Sequence, residues 1–91
     1  MLFYLMLASL DDDERSLAEQ IYIKYSARMY TIAYNILLKQ HDTEDAVENA
    51  AVKIIKNIEK FKNVSCNKTD ALIVLYIKCS ALDIGRKRKI F

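Results

Sequence analysis

The stretch from Asp42 to Phe61, DTEDAVENAAVKIIKNIEKF, constrains the chain most. Val47, Ala50, Ala51, Ile54, Ile58 and Phe61 recur at spacings of three and four, which predicts one amphipathic helix with a single apolar stripe. Asp42, Thr43, Glu44 and Asp45 crowd its first turns, and Lys53, Lys56 and Lys60 follow. That order suits the helix dipole at both ends. One face should pack on the rest of the chain, with the acidic start left outside.

The neighbouring segments extend this reading. DDDE at residues 11–14 punctuates an apolar start, MLFYLMLASL, which is too short to span a membrane and lacks a basic leader. That start reads as a buried terminal helix turn or a strand-like arm. Ser16 and Glu19 fit a capping box, although the preceding acids can begin the helix a turn earlier. From there to about Leu38 the pattern predicts a long helix. Leu17, Ile21, Tyr25, Met29, Ile32 and Ile36 lie along its apolar side, broadened by Tyr22, Ala33 and Leu37. Tyr22, Tyr25, Tyr30 and Tyr34 are expected at the core or its edge. Lys39–His41 is a short connection, so the two helices should be antiparallel neighbours, with His41 or Asp42 capping the second.

Residues 62–68, KNVSCNK, are expected to form the longest loop, with Thr69 or Asp70 capping a last helix. ALIVLYI would tolerate a strand by propensity, but the helical spacing continues beyond it. The expected core positions are Leu72, Leu75, Tyr76, Cys79 and Leu82, which leaves Ile73, Val74 and Ile77 off the main stripe. Gly85 should weaken the helix end. With no Pro, one Gly and 53% hydrophobic residues, the expected fold is all-α, a bundle of about three to four helices in one domain.

Charge is unevenly spread. Residues 1–60 carry seven Lys/Arg against ten Asp/Glu; residues 61–91 carry seven against two. The split suggests an acidic face for one partner and a basic end for a polyanion, with solvated charge as the plain alternative. Arg86 and Arg88 suit bidentate phosphate contacts, Lys87 and Lys89 act as point charges, and Ile90 and Phe91 offer two apolar anchors to a membrane-surface reading. Cys66 and Cys79 have no metal-ligand or disulfide-framework spacing and read as free thiols. His41 is the single histidine. Glu44, Asp45 and Glu48 lie close on one helix, but the further ligands of a carboxylate metal bundle are missing. No metal site, cofactor or catalytic set is expected.

HDTEDAVENAAVKIIKNIEKF followed by ALIVLYIKCSALDIGRKRK resembles the second conserved region of sigma-70-type RNA polymerase sigma factors, closest to the small alternative class called extracytoplasmic-function type. The first motif aligns on Asp42, Glu44, Asp45, Ala46, Val47, Glu48 and Lys53; the second on Lys78, Cys79, Ala81, Asp83, Arg86 and Lys87. YIKYSARMYTIAYNIL looks like the family's first core helix, and the likeness runs from about Leu17 to Lys89. It implies a non-enzymatic, cytoplasmic transcription-initiation domain that docks on the clamp helices of the largest subunit of core RNA polymerase. It also implies recognition and opening of the promoter −10 element, with an anti-sigma-like factor as a further candidate partner. By position, Glu44, Asp45, Glu48, Asn49 and Lys53 would dock polymerase. Lys62, Asn63, Asn67, Lys68, Lys78, Cys79, Arg86, Lys87, Arg88 and Lys89 would meet promoter DNA. The chain departs from the family at Glu48-Asn49, Ala51, Leu72 and Cys79, and its loop has no aromatic residue. The family's second, helix-turn-helix domain has no counterpart in these residues. The alternative is a repurposed protein-interaction module of the same fold that does not read DNA.

Overall fold

Asp11 opens the longest element. Its side chain accepts from the backbone of Glu14 at 2.7 Å, and the Glu14 carboxylate returns to the Asp11 N–H. This reciprocal cap satisfies two backbone donors that a helix start leaves unpaired. It sets the beginning of the long helix five residues before the Ser16 cap, as the acidic alternative predicted. In the computed structural model, which describes the backbone of residues 2–89 and the side chains of residues 5–89, four α-helices follow in order. They are α1 (Leu2–Leu7), α2 (Asp12–Leu37), α3 (Gln40–Lys56) and α4 (Cys66–Lys87), with a 3₁₀ turn at Ile58–Phe61. The described residues hold no strand, so the fold is an all-α bundle.

The apolar start is a helix, not an arm. Leu7 is buried, Met6 and Leu10 pack on the core, and Leu5 faces outward. The Arg15 guanidinium donates to the carbonyls of Leu7 and Leu10 and so ties the end of α1 to α2. On α2 the buried line is Ala18, Ile21, Tyr25, Met29, Ala33 and Leu37. Leu17, Ile32 and Ile36 are half-buried at its edges, so the apolar stripe is centred one position on from the expected one. Tyr30 and Tyr34 stand outside the core, against expectation, with their rings stacked 6.4 Å apart. Leu38 ends α2 in the left-handed region (φ 60°), where its N–H donates to the Tyr34 carbonyl.

The organising helix is shorter than its stripe. α3 stops at Lys56, because Asn57 caps it: the Asn57 amide Nδ2 donates to the Lys53 carbonyl at 2.8 Å. The chain then tightens into the 3₁₀ turn. Residues three apart eclipse in such a turn, and Ile58 and Phe61 therefore both point into the core. The stripe survives a change of helix type that spacing alone does not reveal. At the other end, neither His41 nor Asp42 caps α3. The N-cap is Lys39, and the Thr43 hydroxyl donates to its carbonyl at 2.7 Å. Asp42 and Thr43 are buried, so the first turn is not an outward acidic patch.

α4 departs furthest from expectation. Ser65, not Thr69 or Asp70, is its cap, and Cys66, Asn67 and Lys68 become its first turn. The expected seven-residue loop contracts to residues 62–65. The buried face is Ile73, Ile77, Ser80, Ala81, Ile84 and Gly85. Leu75, Cys79 and Leu82, expected inside, are exposed; Leu72 and Tyr76 sit at the boundary. Both registers obey helical spacing. The observed one carries three isoleucines inward and places Ser80, Ala81 and Gly85 where α4 lies against the bundle. Gly85 is buried near the end of α4, which runs on to Lys87.

Candidate functional site: an acidic groove and a cationic helix face

Ion pairs fix how the last two helices sit. Lys53 on α3 reaches Asp83 at 3.9 Å and donates to the Ser80 hydroxyl at 3.4 Å. Two turns away, Arg88 at the C-cap of α4 donates to Asp42 and, at 2.7 Å, to Asp45 at the start of α3. The helices are therefore antiparallel. The guanidinium forks across two carboxylates, a geometry that lysine cannot reproduce. Hydrogen bonds to Asp45 and Asp42 hold the Arg88 pKa above its ordinary value. His41 lies 3.6 Å from the same Asp45 carboxylate. Asp42, enclosed at 6% exposure, thus has its charge compensated from a residue 46 positions away.

This arrangement divides the expected docking residues. Glu44 and Asn49 are exposed and Glu48 is half-buried. Asp45 is committed to Arg88, and Lys53 to Ser80 and Asp83. Glu44 and Glu48 rim a groove of about 250 Å³ between α2 and α3, with Tyr22 and Tyr30 on one wall and Val47 and Ala51 on the other. The groove is smaller than a drug-sized ligand site and has room for one long side chain. Carboxylates beside aromatic rings favour a cationic occupant.

The residues expected to meet DNA are also divided. Lys68, Lys78, Cys79 and Arg86 share the outer face of α4, spaced by helical turns, with Leu75 and Leu82 between them. The sequence pattern had pointed those two leucines inward; the alternative register, equally periodic, exposes the mixed cationic and apolar face. Asn67 is exposed on the same helix's first turn, and Asn63 is exposed in the left-handed region (φ 57°). Lys62 is turned inward: it donates to Glu59 at 3.0 Å and Glu14 at 3.1 Å, and these bonds hold its pKa above the usual lysine range. Arg86 approaches Asp83 at 3.6 Å. Lys87 lies on the other side of α4, where it lines a hollow with Glu48, Asn49 and Arg88. Lys89 is exposed. The four consecutive cations are therefore not one patch. Ile90 and Phe91, the anchors of the membrane-surface reading, lie outside the described residues.

A third polar cluster has no signal in the sequence pattern. Tyr25 donates its hydroxyl to Asp70 at the base of α4. Burial, then the Asp70 hydrogen bond and charge, push the phenol up to about 12. The pair joins the middle of α2 to the start of α4. Cys66 and Cys79 are exposed free thiols. Among the described residues no group of three His, Cys, Asp or Glu side chains is placed to hold a metal ion, and no helix is long and apolar enough to cross a membrane. The chain matches no protein-family model, no curated protein and no solved structure at the level that marks kinship.

Proposed function

We propose that this chain is a transcription-initiation domain of the sigma type. It docks on the clamp helices of the largest subunit of core RNA polymerase through the exposed side of α3, and meets the −10 element of promoter DNA along the outer face of α4. The observation that carries the reading is the segregation of charge by helix: Glu44 and Glu48 project from α3, whereas Lys68, Lys78 and Arg86 project from α4. Opposite charges on separate faces suit two partners at once, a basic protein surface and a phosphate backbone. On this reading Lys68, Lys78 and Arg86 hold phosphates, and Leu75 and Leu82 offer apolar contact to unstacked bases. Docking falls to Glu44, Glu48 and Asn49, because Asp45 and Lys53 already have partners within the bundle.

The test is calorimetry of the chain against the isolated clamp-helix hairpin, followed by titration with single-stranded promoter DNA at several salt concentrations. Binding to the hairpin should be saturable and lost in Glu44→Lys/Glu48→Lys, which leaves the Arg88 pairing intact. Replacing Lys68, Lys78 and Arg86 by Ala should lower the salt slope of DNA binding by about two, at roughly 0.7 for each phosphate no longer neutralised. Hairpin binding unchanged by the two Lys substitutions refutes the docking face.

A second reading, a protein-interaction module that does not read DNA, is favoured by two observations. Lys62, Arg86 and Arg88 each have carboxylate partners, and the 62–65 loop has no aromatic residue to stack on a base. Hairpin binding without salt-sensitive DNA binding would select it.

A further inference from the structure

Ile23, Ala27, Tyr30 and Tyr34 follow one another at four, three and four residues along α2, all exposed, and the exposed C-cap Leu38 lies just past its end. The four helical positions form a continuous apolar stripe of about three turns on the side of α2 turned away from the core. Ile23 is 78% and Leu38 69% exposed. Leu38 also occupies a left-handed C-cap, where Gly is the favourable residue. Neither the core nor the local backbone asks for leucine there. An apolar stripe of this extent marks an interaction surface rather than scattered surface hydrophobes.

Charge flanks the stripe with opposite sign. On the α3 side, Tyr30 leads into the groove rimmed by Glu44 and Glu48. On the α4 side, Lys24 and Arg28 are exposed, one or two positions round the helix. An occupant must therefore be apolar along its centre, cationic toward α3 and acidic or polar toward α4. That is the pattern of an amphipathic helix laid along α2, anchored at i, i+3, i+4 and i+7.

We propose that the outer face of α2 docks an amphipathic helix of a partner protein, with its apolar stripe on Ile23, Tyr30 and Tyr34 and an Arg or Lys inserted between Tyr30 and the Glu44–Glu48 rim. The stacked tyrosines supply a large, rigid contact at little entropic cost. The groove, at about 250 Å³, accepts a single guanidinium stem. This surface shares Glu44 and Glu48 with the polymerase-docking face and rests on that reading for nothing else.

The probe is a synthetic amphipathic helix peptide with a Leu stripe, an Arg flank and a Glu flank, compared with the same peptide in which the Arg flank is Glu. Calorimetry and NMR follow binding to the full chain. The Arg peptide should bind saturably and shift the resonances of Ile23, Tyr30 and Tyr34. The all-Glu peptide should bind at least about tenfold more weakly, as should the Arg peptide to Ile23→Ser/Tyr34→Ser. Both substitutions fall on exposed positions and should leave helicity unchanged. No binding of the Arg peptide, equal binding of both peptides, or binding unaffected by the double substitution overturns the proposal. Self-association of the chain in sedimentation equilibrium, abolished by the same double substitution, would assign the face to a second copy and overturn it too. Hairpin binding that survives Ile23→Ser/Tyr34→Ser and is lost in Glu44→Lys/Glu48→Lys separates failure here from failure of the polymerase reading.

Discussion

Truncating Ile77 and Leu75 in turn tests the register of α4, on which the composition of its outer face depends. Ile77 is 0% exposed, whereas Leu75 is 54% exposed. Each change to Ala removes three carbons. At about 0.8 kcal/mol per buried methylene, Ile77→Ala forfeits roughly 2.4 kcal/mol of transfer free energy. The cavity it leaves brings the total into the range of about 2–5 kcal/mol. Leu75→Ala forfeits less than half of that transfer term, opens no cavity, and recovers a few tenths through the better helix propensity of Ala. Its cost should stay below about 1 kcal/mol. Urea unfolding followed by far-UV circular dichroism reads the difference. At a slope of about 1–3 kcal/mol per molar, a difference of at least about 1 kcal/mol should separate the two midpoints by about 0.3–1 M or more. Thermal midpoints should differ by at least about 4–8 °C. If Leu75→Ala proves as costly as Ile77→Ala, the inward face is the other one. Lys68, Lys78 and Arg86 would then no longer share a solvent face with Leu75 and Leu82, and the DNA-contact reading would lose its geometry.

Arg88→Ala should destabilise the fold more than Lys87→Ala does, because it strips the enclosed Asp42 of its cation; paired with Asp42→Ala it should be less than additive in a double-mutant cycle, and additivity would show that the two do not interact. The raised Tyr25 pKa gives a pH signature at the alkaline end. The unfolded phenol ionises near 10 and the folded one near 12, so this group's stabilisation is full below about pH 10 and is lost as pH rises toward 12. Urea midpoints measured across that window should fall more steeply for the parent chain than for Tyr25→Phe, and parallel curves would remove Tyr25 from the account.

The three longer helices and their order were legible because three amphipathic stripes and two polar breaks occupy most of the chain, whereas the apolar start left helix and arm open. A short connection was legible for the same reason, although it falls at 38–39 and not at 39–41. What failed was rotation and capping. ALIVLYI is apolar at nearly every position, so two adjacent registers satisfy the period equally, and only packing decides between them. Residues 66–68 look like loop by composition, which hides Ser65 as a cap; a serine hydroxyl meeting the Lys68 N–H outweighs that composition. Asn57 broke α3 without disturbing the apolar spacing, so no count of hydrophobic residues would have shown it. Within the site, the acidic side chains on α3 were legible as a group, but their division was not. Whether Asp42 faces water depends on Arg88, and no local pattern reports a partner 46 residues distant.

The fork of Arg88 across Asp42 and Asp45 makes those carboxylates an internal counter-ion. A phosphate that captures this guanidinium must replace them, and does so against a carboxylate pair already at hydrogen-bonding range. A protein that engages Asp45 from outside must in turn share it with, or take it from, the same arginine. The two events draw on one charge. By thermodynamic reciprocity, whatever factor one ligand lends to the other's affinity through this residue is returned in full. The first turn of α3 and the last turn of α4 are thus energetically a single locus, although half the chain lies between them.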